Sequence, residues 1–416
     1  MLGKISSFLS HTEPLPSSHT AARRADTYVT LSKELGQAGV PTSETDCASC
    51  SNPCLDPSQN GSGSVDEIVY DGKAYEEYVL EKYGDLGELP KGFDTDWESD
   101  LQGSSKGGKG RVVVISTGKS DWERDHVDEK GSLAHHLDKV ISSAPTPASS
   151  DSKPKSSIPY ISPSEFPSPS DPLSKPISVQ PSLYSSSLIS QSDDPSDQTV
   201  LVFPDWKVIH EIDNSLQGAR SLYENQLSCE VGRSGKPLMD EVEDEFSRRR
   251  SWVLPYRAVI LLCSHKKRDK RCHIAAPLLR SALHTVLQKH DIDIDEDGSS
   301  LTHLDGPPLE EISGSDSERE EEVGKRIGEI ESVQGGEGGQ VGIFNINHLG
   351  GHRYAGVMLI LFPSGAYISY GRVSPAEIPR VVEDTILQGK IVPGLLRNAV
   401  GVERAGVKTG KGFLSW

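Results

Sequence analysis

The stretch YRAVILL at 256–262 sets the frame for the C-terminal half of the chain. It is a short, β-branched, wholly apolar run, and reads as a buried strand that ends at Cys263. After a polar, basic loop over 264–271, IAAPLLRSALHTVLQ (274–288) carries Leu278, Leu279, Leu283, Val286 and Leu287 on one helical face. Pro277 falls in the first turn of that helix, where a missing N–H is tolerated. VGIFNI (341–346) is a second strand. YAGVMLILF (354–362) and AYISYGRV (366–373) flank the turn Pro363-Ser364-Gly365 and read as an antiparallel hairpin. Ser374 and Glu377 form a capping box for a last helix over 375–389. The order strand, helix, strand, hairpin, helix suits a thioredoxin-like α/β layer over residues 251–400.

The rest of the chain reads as a smaller N-terminal α/β domain, 66–250, behind a polar segment, 1–65. Its elements are a helix at Tyr75–Lys82, a strand at Arg111–Ser116, helical spacing over 119–140, and extended pieces at Thr199–Phe203 and Trp206–Ile212. The strand at 199–203 is expected to pair with 111–116. Residues 215–250 are charged with helical spacing.

Apolar residues make up 35% of the chain, against about 45–50% for a globular average. The deficit points to disordered insertions. The Ser/Pro tract 143–198 buries too little to offset its ordering entropy. The segment 291–340 is acidic and Gly-rich; its 15 acidic and 3 basic residues between Asp291 and Glu331 carry −12 of the formal charge of −18. It too is expected to be disordered. A flexible tail, 401–416, completes the chain.

Acidity of this kind argues against nucleic acid, which needs clustered Lys and Arg. No apolar run reaches the roughly 18 residues of a membrane span. Arg23 and Arg24 resemble a transit peptide, but Glu13 and Asp26 oppose that reading. A cytoplasmic location is expected, with the mitochondrion as the alternative.

Two residue pairs carry the chemistry. Cys263 and Cys272 bracket CSHKKRDKRC, and His348 and His352 bracket HLGGH. Thiolates and imidazoles suit zinc or an iron–sulfur cluster rather than magnesium or calcium. Cys263 closes a strand, Cys272 opens a helix, and His348 follows a second strand. Sites in open α/β sheets gather at the carboxyl ends of strands, so both pairs are expected at one sheet edge. Gly350 and Gly351 allow a tight turn and close approach of the backbone. The bland alternatives are a buried apolar thiol and a capping loop.

Several templates fail. Cys263-Ser264-His265 fits half a Rieske centre, but Cys272 and His273 are adjacent. A zinc hydrolase needs Glu where Leu349 stands. The cysteines are too far apart for C-x-x-C, although a disulfide across the loop is geometrically allowed. Three readings stay open on the residues alone: an electron-transfer protein, a thiol–disulfide oxidoreductase using Cys263 and Cys272, and a zinc-stabilised interaction module.

The combination C-x8-C after a buried strand, then HLGGHRYAG, resembles the sucrase/ferredoxin-like family of thioredoxin-like ferredoxins, with a looser likeness at STGKSDW (116–122). Its fungal members are bis-histidinyl 2Fe–2S proteins outside the Rieske group. The resemblance implies that Cys263 and Cys272 bind one iron, and His348 and His352 the other. Two imidazoles in place of thiolates would raise the potential relative to an all-Cys ferredoxin, and could couple electron uptake to protonation. Lys266, Lys267, Arg268 and Arg271 would then offer a docking face to an acidic redox partner.

Four further signals are weaker. Cys47, Cys50 and Cys54 form a second candidate thiol or metal cluster, short of a fourth ligand. Gly118-Lys119-Ser120 lacks the first glycine of a phosphate loop. Asp293, Asp295 and Asp297 begin like a calcium loop whose closing Glu would fall at Leu304. The terminal Leu414-Ser415-Trp416 resembles the tripeptide by which clients engage the cytosolic iron–sulfur assembly machinery.

Overall fold

The computed structural model describes residues 30–43, 73, 75–91, 93–96, 99, 101–105, 107–108, 110–144, 160–161, 180–228, 231–237, 250–402 and 412–414. The elements run α1 (30–37), α2 (Tyr75–Tyr83), β1 (Val112–Ser116), α3 (Leu133–Ser143), β2 (Tyr160–Ile161), β3 (Ser182–Ser186), β4 (Gln198–Phe203), β5 (Lys207–Ile212) and α4 (Leu216–Leu222). They continue with β6 (Ser251–Val253), β7 (Ala258–Cys263), α5 (Lys270–Gln288), β8 (Asp293–Asp295), α6 (Asp316–Gly328), β9 (Gln340–Ile346), β10 (Met358–Leu361), β11 (Tyr367–Tyr370), α7 (Ile378–Arg380) and β12 (Leu396–Val400).

All strands join one mixed sheet, ordered β2-β12-β11-β10-β7-β9-β3-β1-β4-β5-β6, with β8 also on β9. The α/β class expected from the sequence is what the chain adopts. In the C-terminal half, β7 and β9 are parallel, joined through α5, and β10 runs antiparallel to both β7 and β11. The order β11-β10-β7-β9, closed by α7, is the thioredoxin arrangement. The N-terminal half repeats it. There β1 and β3 are parallel across α3, β4 runs antiparallel to β1 and β5, and α4 follows, giving β5-β4-β1-β3. The expected pairing of 199–203 with 111–116 is present.

The halves meet where their second strands touch, antiparallel at Ser186 and Ile346. Asn345 O accepts from Ser187 N at 2.8 Å, and Ser185 O accepts from Asn347 N at 3.0 Å. One face of the sheet therefore carries a core common to both halves, from Val112 and Leu201 to Leu261 and Phe344. The other face carries two separate cores, one under α3 and α4 and one under α5 and the terminal helices.

Three expectations of disorder need correction. Residues 291–340 are folded: β8 pairs with β9, and Leu301, Leu309, Val323 and Ile327 join the common core. Their buried carboxylates are paired inside the fold, while most of the other charges lie exposed. Glu320 pairs with Arg233 at 2.6 Å, and Glu310 accepts from Ser251 N and Oγ and from Gln226 Nε2. In the Ser/Pro tract, 182–198 is ordered because β3 fills the gap between β1 and β9; 145–159 and 162–179 lie outside the described residues. In the tail, Phe413 and Leu414 are buried, Phe413 edge-on to Phe362 at 5.2 Å between ring centroids, while 403–411 lie outside the described residues.

Two helix ends also differ from expectation. α5 begins at Lys270, so Pro277 lies in its interior and removes one backbone hydrogen bond there. The capping box at Ser374 does not form; the chain enters α7 through a 3₁₀ turn and continues as a wide π-helical stretch over Val381–Leu387. A true capping box stands instead at Ser315 and Glu318, heading α6.

Candidate metal centre

Cys263 is the last residue of β7 and lies in register with Ile346 at the end of β9. His348 is two residues further along, so the parallel pairing alone brings the thiol and the imidazole together. The distance from Cys263 Sγ to His348 Nδ1 is 3.9 Å. The Cys263 N–H donates to Val357 O at 3.1 Å, which fixes the strand end. Cys272 enters from the first turn of α5, capped by Asp269, whose side chain accepts from Arg271 N at 2.8 Å. Both thiols are buried and free of any disulfide, and they pack with Val357 and Leu349.

The two sulfurs interact directly. A hydrogen bond from Cys272 holds the Cys263 pKa well below that of an ordinary thiol; His348 adds to this, and burial opposes it. The same contact, together with burial, pushes the Cys272 pKa up. The two thiols thus titrate as a coupled pair, with Cys263 the more acidic of the two. A metal ion would displace the thiol protons and take both sulfurs as ligands.

Between the histidines the backbone turns through Gly350 and Gly351, at φ 75° and 66°. At Gly351 a side chain is barred on two counts. The positive φ strains any L-residue, and an added Cβ would come within 2.8 Å of Arg397 Cζ. His352 opens a 3₁₀ turn, His352–Tyr354; its side chain lies outside the described atoms. Among the described residues no group of three or more His, Cys, Asp or Glu stands ready to hold a metal ion.

The donors fit an iron–sulfur cluster in kind: two adjacent sulfurs, an imidazole beside them, and glycines that make room. Beside Cys263 in sequence, Ser264 Oγ and His265 Nδ1 are buried without hydrogen-bond partners among the described atoms. The His265 ring meets Trp122 edge-on and its Nε2 lies 3.0 Å from Trp122 O. That contact ties the ligand loop to the STGKSDW segment of the first repeat.

The basic residues of the loop are partly engaged within the chain. Lys267 pairs with Glu123 at 2.7 Å, Arg268 Nη1 donates to Arg124 O at 3.3 Å, and Arg271 reaches Asp269 and Asp94. Lys266 is exposed. Cys47, Cys50 and Cys54 lie outside the described residues, as do Ser415 and Trp416. Arg397 is a site residue that pattern reading missed. The signal for it was a lone arginine in an otherwise uncharged strand, LRNAV.

Fold and donor set define an α/β protein of two thioredoxin-topology units, with a soft-donor site on the second. The chain belongs to the sucrase/ferredoxin-like family, whose model matches residues 101–398. It is 25% identical over 142 residues to altered inheritance of mitochondria protein 32 of Clavispora lusitaniae, covering 34% of this chain and 35% of the relative. It is 30% identical over 132 residues to actin patches distal protein 1 of Saccharomyces cerevisiae, covering 32% of this chain and 30% of the relative. The matches thus span about a third of the curated relatives' length. No solved structure matches, and no described helix is long and apolar enough to cross a membrane.

Proposed function

We propose that this protein carries electrons on a 2Fe–2S cluster held by Cys263, Cys272, His348 and His352. One observation supports this above the others: two buried, disulfide-free cysteines pack in one cluster, and the Nδ1 of His348 stands 3.9 Å from the sulfur of Cys263. Such a cluster would supply a one-electron carrier, with a potential raised by its imidazole ligands. The chain's part is to hold the thiolates, exclude water with Val357 and Leu349, and orient His348.

The loop of Lys266, Lys267, Arg268 and Arg271 is proposed as the docking face for an acidic partner. Its exposed pairs with Glu123 and Asp94 are weak enough to be exchanged for the partner's carboxylates. We also propose that the assembly machinery takes hold of the terminal Leu414-Ser415-Trp416. The docked Leu414 would have to lift for that. The proposed compartment is the cytoplasm, with the mitochondrion as the alternative.

The sulfur–sulfur contact also favours a thiol–disulfide reading. Against it, Cys263 and Cys272 are only 2% and 0% exposed, which closes them to attack on an external disulfide. Anaerobic purification with iron, sulfide and zinc analysis separates the readings. Two irons and two sulfides per chain are expected, lost in Cys263→Ser. His348→Cys should keep the cluster and lower its potential. Stoichiometric zinc, or a metal-free protein with a reversible disulfide, would overturn the proposal.

A further inference from the structure

Arg397 is 0% exposed, and no carboxylate pairs with it among the described residues. Its Nε donates to Ser104 Oγ at 3.1 Å, its Nη1 to Ser369 Oγ at 3.2 Å, and its Nη2 to Ser104 O at 3.3 Å. Every one of these partners is neutral. A guanidinium remains protonated in proteins, so this strand buries a full positive charge without a formal counter-ion among the described residues. Unpaired buried charge is strongly disfavoured; something must offset it.

Burial pushes the Arg397 pKa down, opposed by Tyr367, Cys263, Tyr354 and Tyr184 around it. The guanidinium also stands against the Gly351 backbone, inside the turn that joins His348 to His352. It thus lies directly against the loop that carries both candidate histidine ligands.

We propose that Arg397 is the built-in counter-cation of the metal centre: it stabilises the added negative charge of the reduced state and braces the His348–His352 turn. This rests on the cluster reading above. It assigns Arg397 a positioning and electrostatic role, not ligation. Reduction adds one electron to a buried site, and a nearby fixed cation in low dielectric favours that state. Ser104 and Ser369 fix the fork by hydrogen bonds and add no charge of their own.

The test is the reduction potential of anaerobically purified full-length protein, with iron and sulfide content, for wild type, Arg397→Gln and Arg397→Lys. Arg397→Gln should make reduction at least tenfold less favourable, about 59 mV for a one-electron couple. Arg397→Lys should stay close to wild type. A loaded Arg397→Gln with wild-type potential overturns the proposal and leaves the cluster reading standing. A wild type without iron and sulfide overturns both. If Arg397→Gln does not load, Arg397→Lys decides: loading with near-wild-type potential supports the need for charge, and failure to load or a shifted potential overturns it.

Discussion

His210 shows how one buried side chain makes stability depend on acidity. It sits on β5, with Nδ1 3.1 Å from Thr199 Oγ1 and its ring tilted on Trp252 at 5.7 Å. Burial pushes its pKa down to about 4; a backbone contact at Leu301 and the charge of Asp193 oppose this without reversing it. An unfolded histidine titrates near 6.5. Between those values the unfolded chain takes up a proton that the folded chain refuses, so stability falls as pH drops from 6.5 towards 4. The full effect is of order 3 kcal/mol. His210→Gln cannot titrate and should lose less stability than wild type between pH 7 and pH 4.5, read as urea midpoints. Equal losses would refute the assignment. His126, also lowered by burial, stays in both proteins and leaves a remaining slope of the same sign.

At the scale of elements, α6 is the clearest case of order hidden by charge. Its mean composition is acidic, yet Val323 and Ile327 reach the common core and Arg319 donates to the carbonyls of Leu309, Ile312, Ser234 and Gly235. Ile327→Ala should therefore cost about 2–5 kcal/mol, and Ser315→Ala about 1 kcal/mol through the lost cap. Thermal or urea denaturation measures both; an Ile327→Ala protein as stable as wild type would mean that α6 does not pack as described. The same case explains what could be read from sequence. The strands β1, β4, β5, β7, β9 and the β10–β11 hairpin were legible because continuous apolar runs have few other fates. That Cys263, Cys272 and His348 come together was legible because the residues flank neighbouring strand ends. β3, β8 and α6 were not, because their order comes from partners distant in sequence, such as Arg233 for Glu320. Arg397 was hidden for a related reason: it is buried with no carboxylate partner among the described residues, which only the fold reveals.

For the whole molecule, the question is whether two repeated units behave as one. Their shared strand contact is short, a single register pair between β3 and β9. The acidic segment adds the missing coupling. Leu301, Leu309, Val323 and Ile327 lie over a core drawn from both halves. On the N-terminal side it is clamped by Glu320, which takes Arg233 Nε at 2.6 Å and Ser234 N at 3.0 Å, with both ion-pair partners under 5% exposed. On the C-terminal side β8 lies along β9. Glu320→Ala leaves the Arg233 guanidinium buried without its carboxylate and should cost about 3–5 kcal/mol. Replacing both, as Arg233→Met with Glu320→Leu, should restore much of that, because no lone charge remains. If the segment welds the halves into one cooperative unit, the loss in Glu320→Ala will not stay local. Hydrogen exchange should then rise together in peptides from β1–β4 and from β7–β10. Faster exchange confined to the first repeat would show instead that the halves open independently, and that the sheet is continuous in geometry but not in stability.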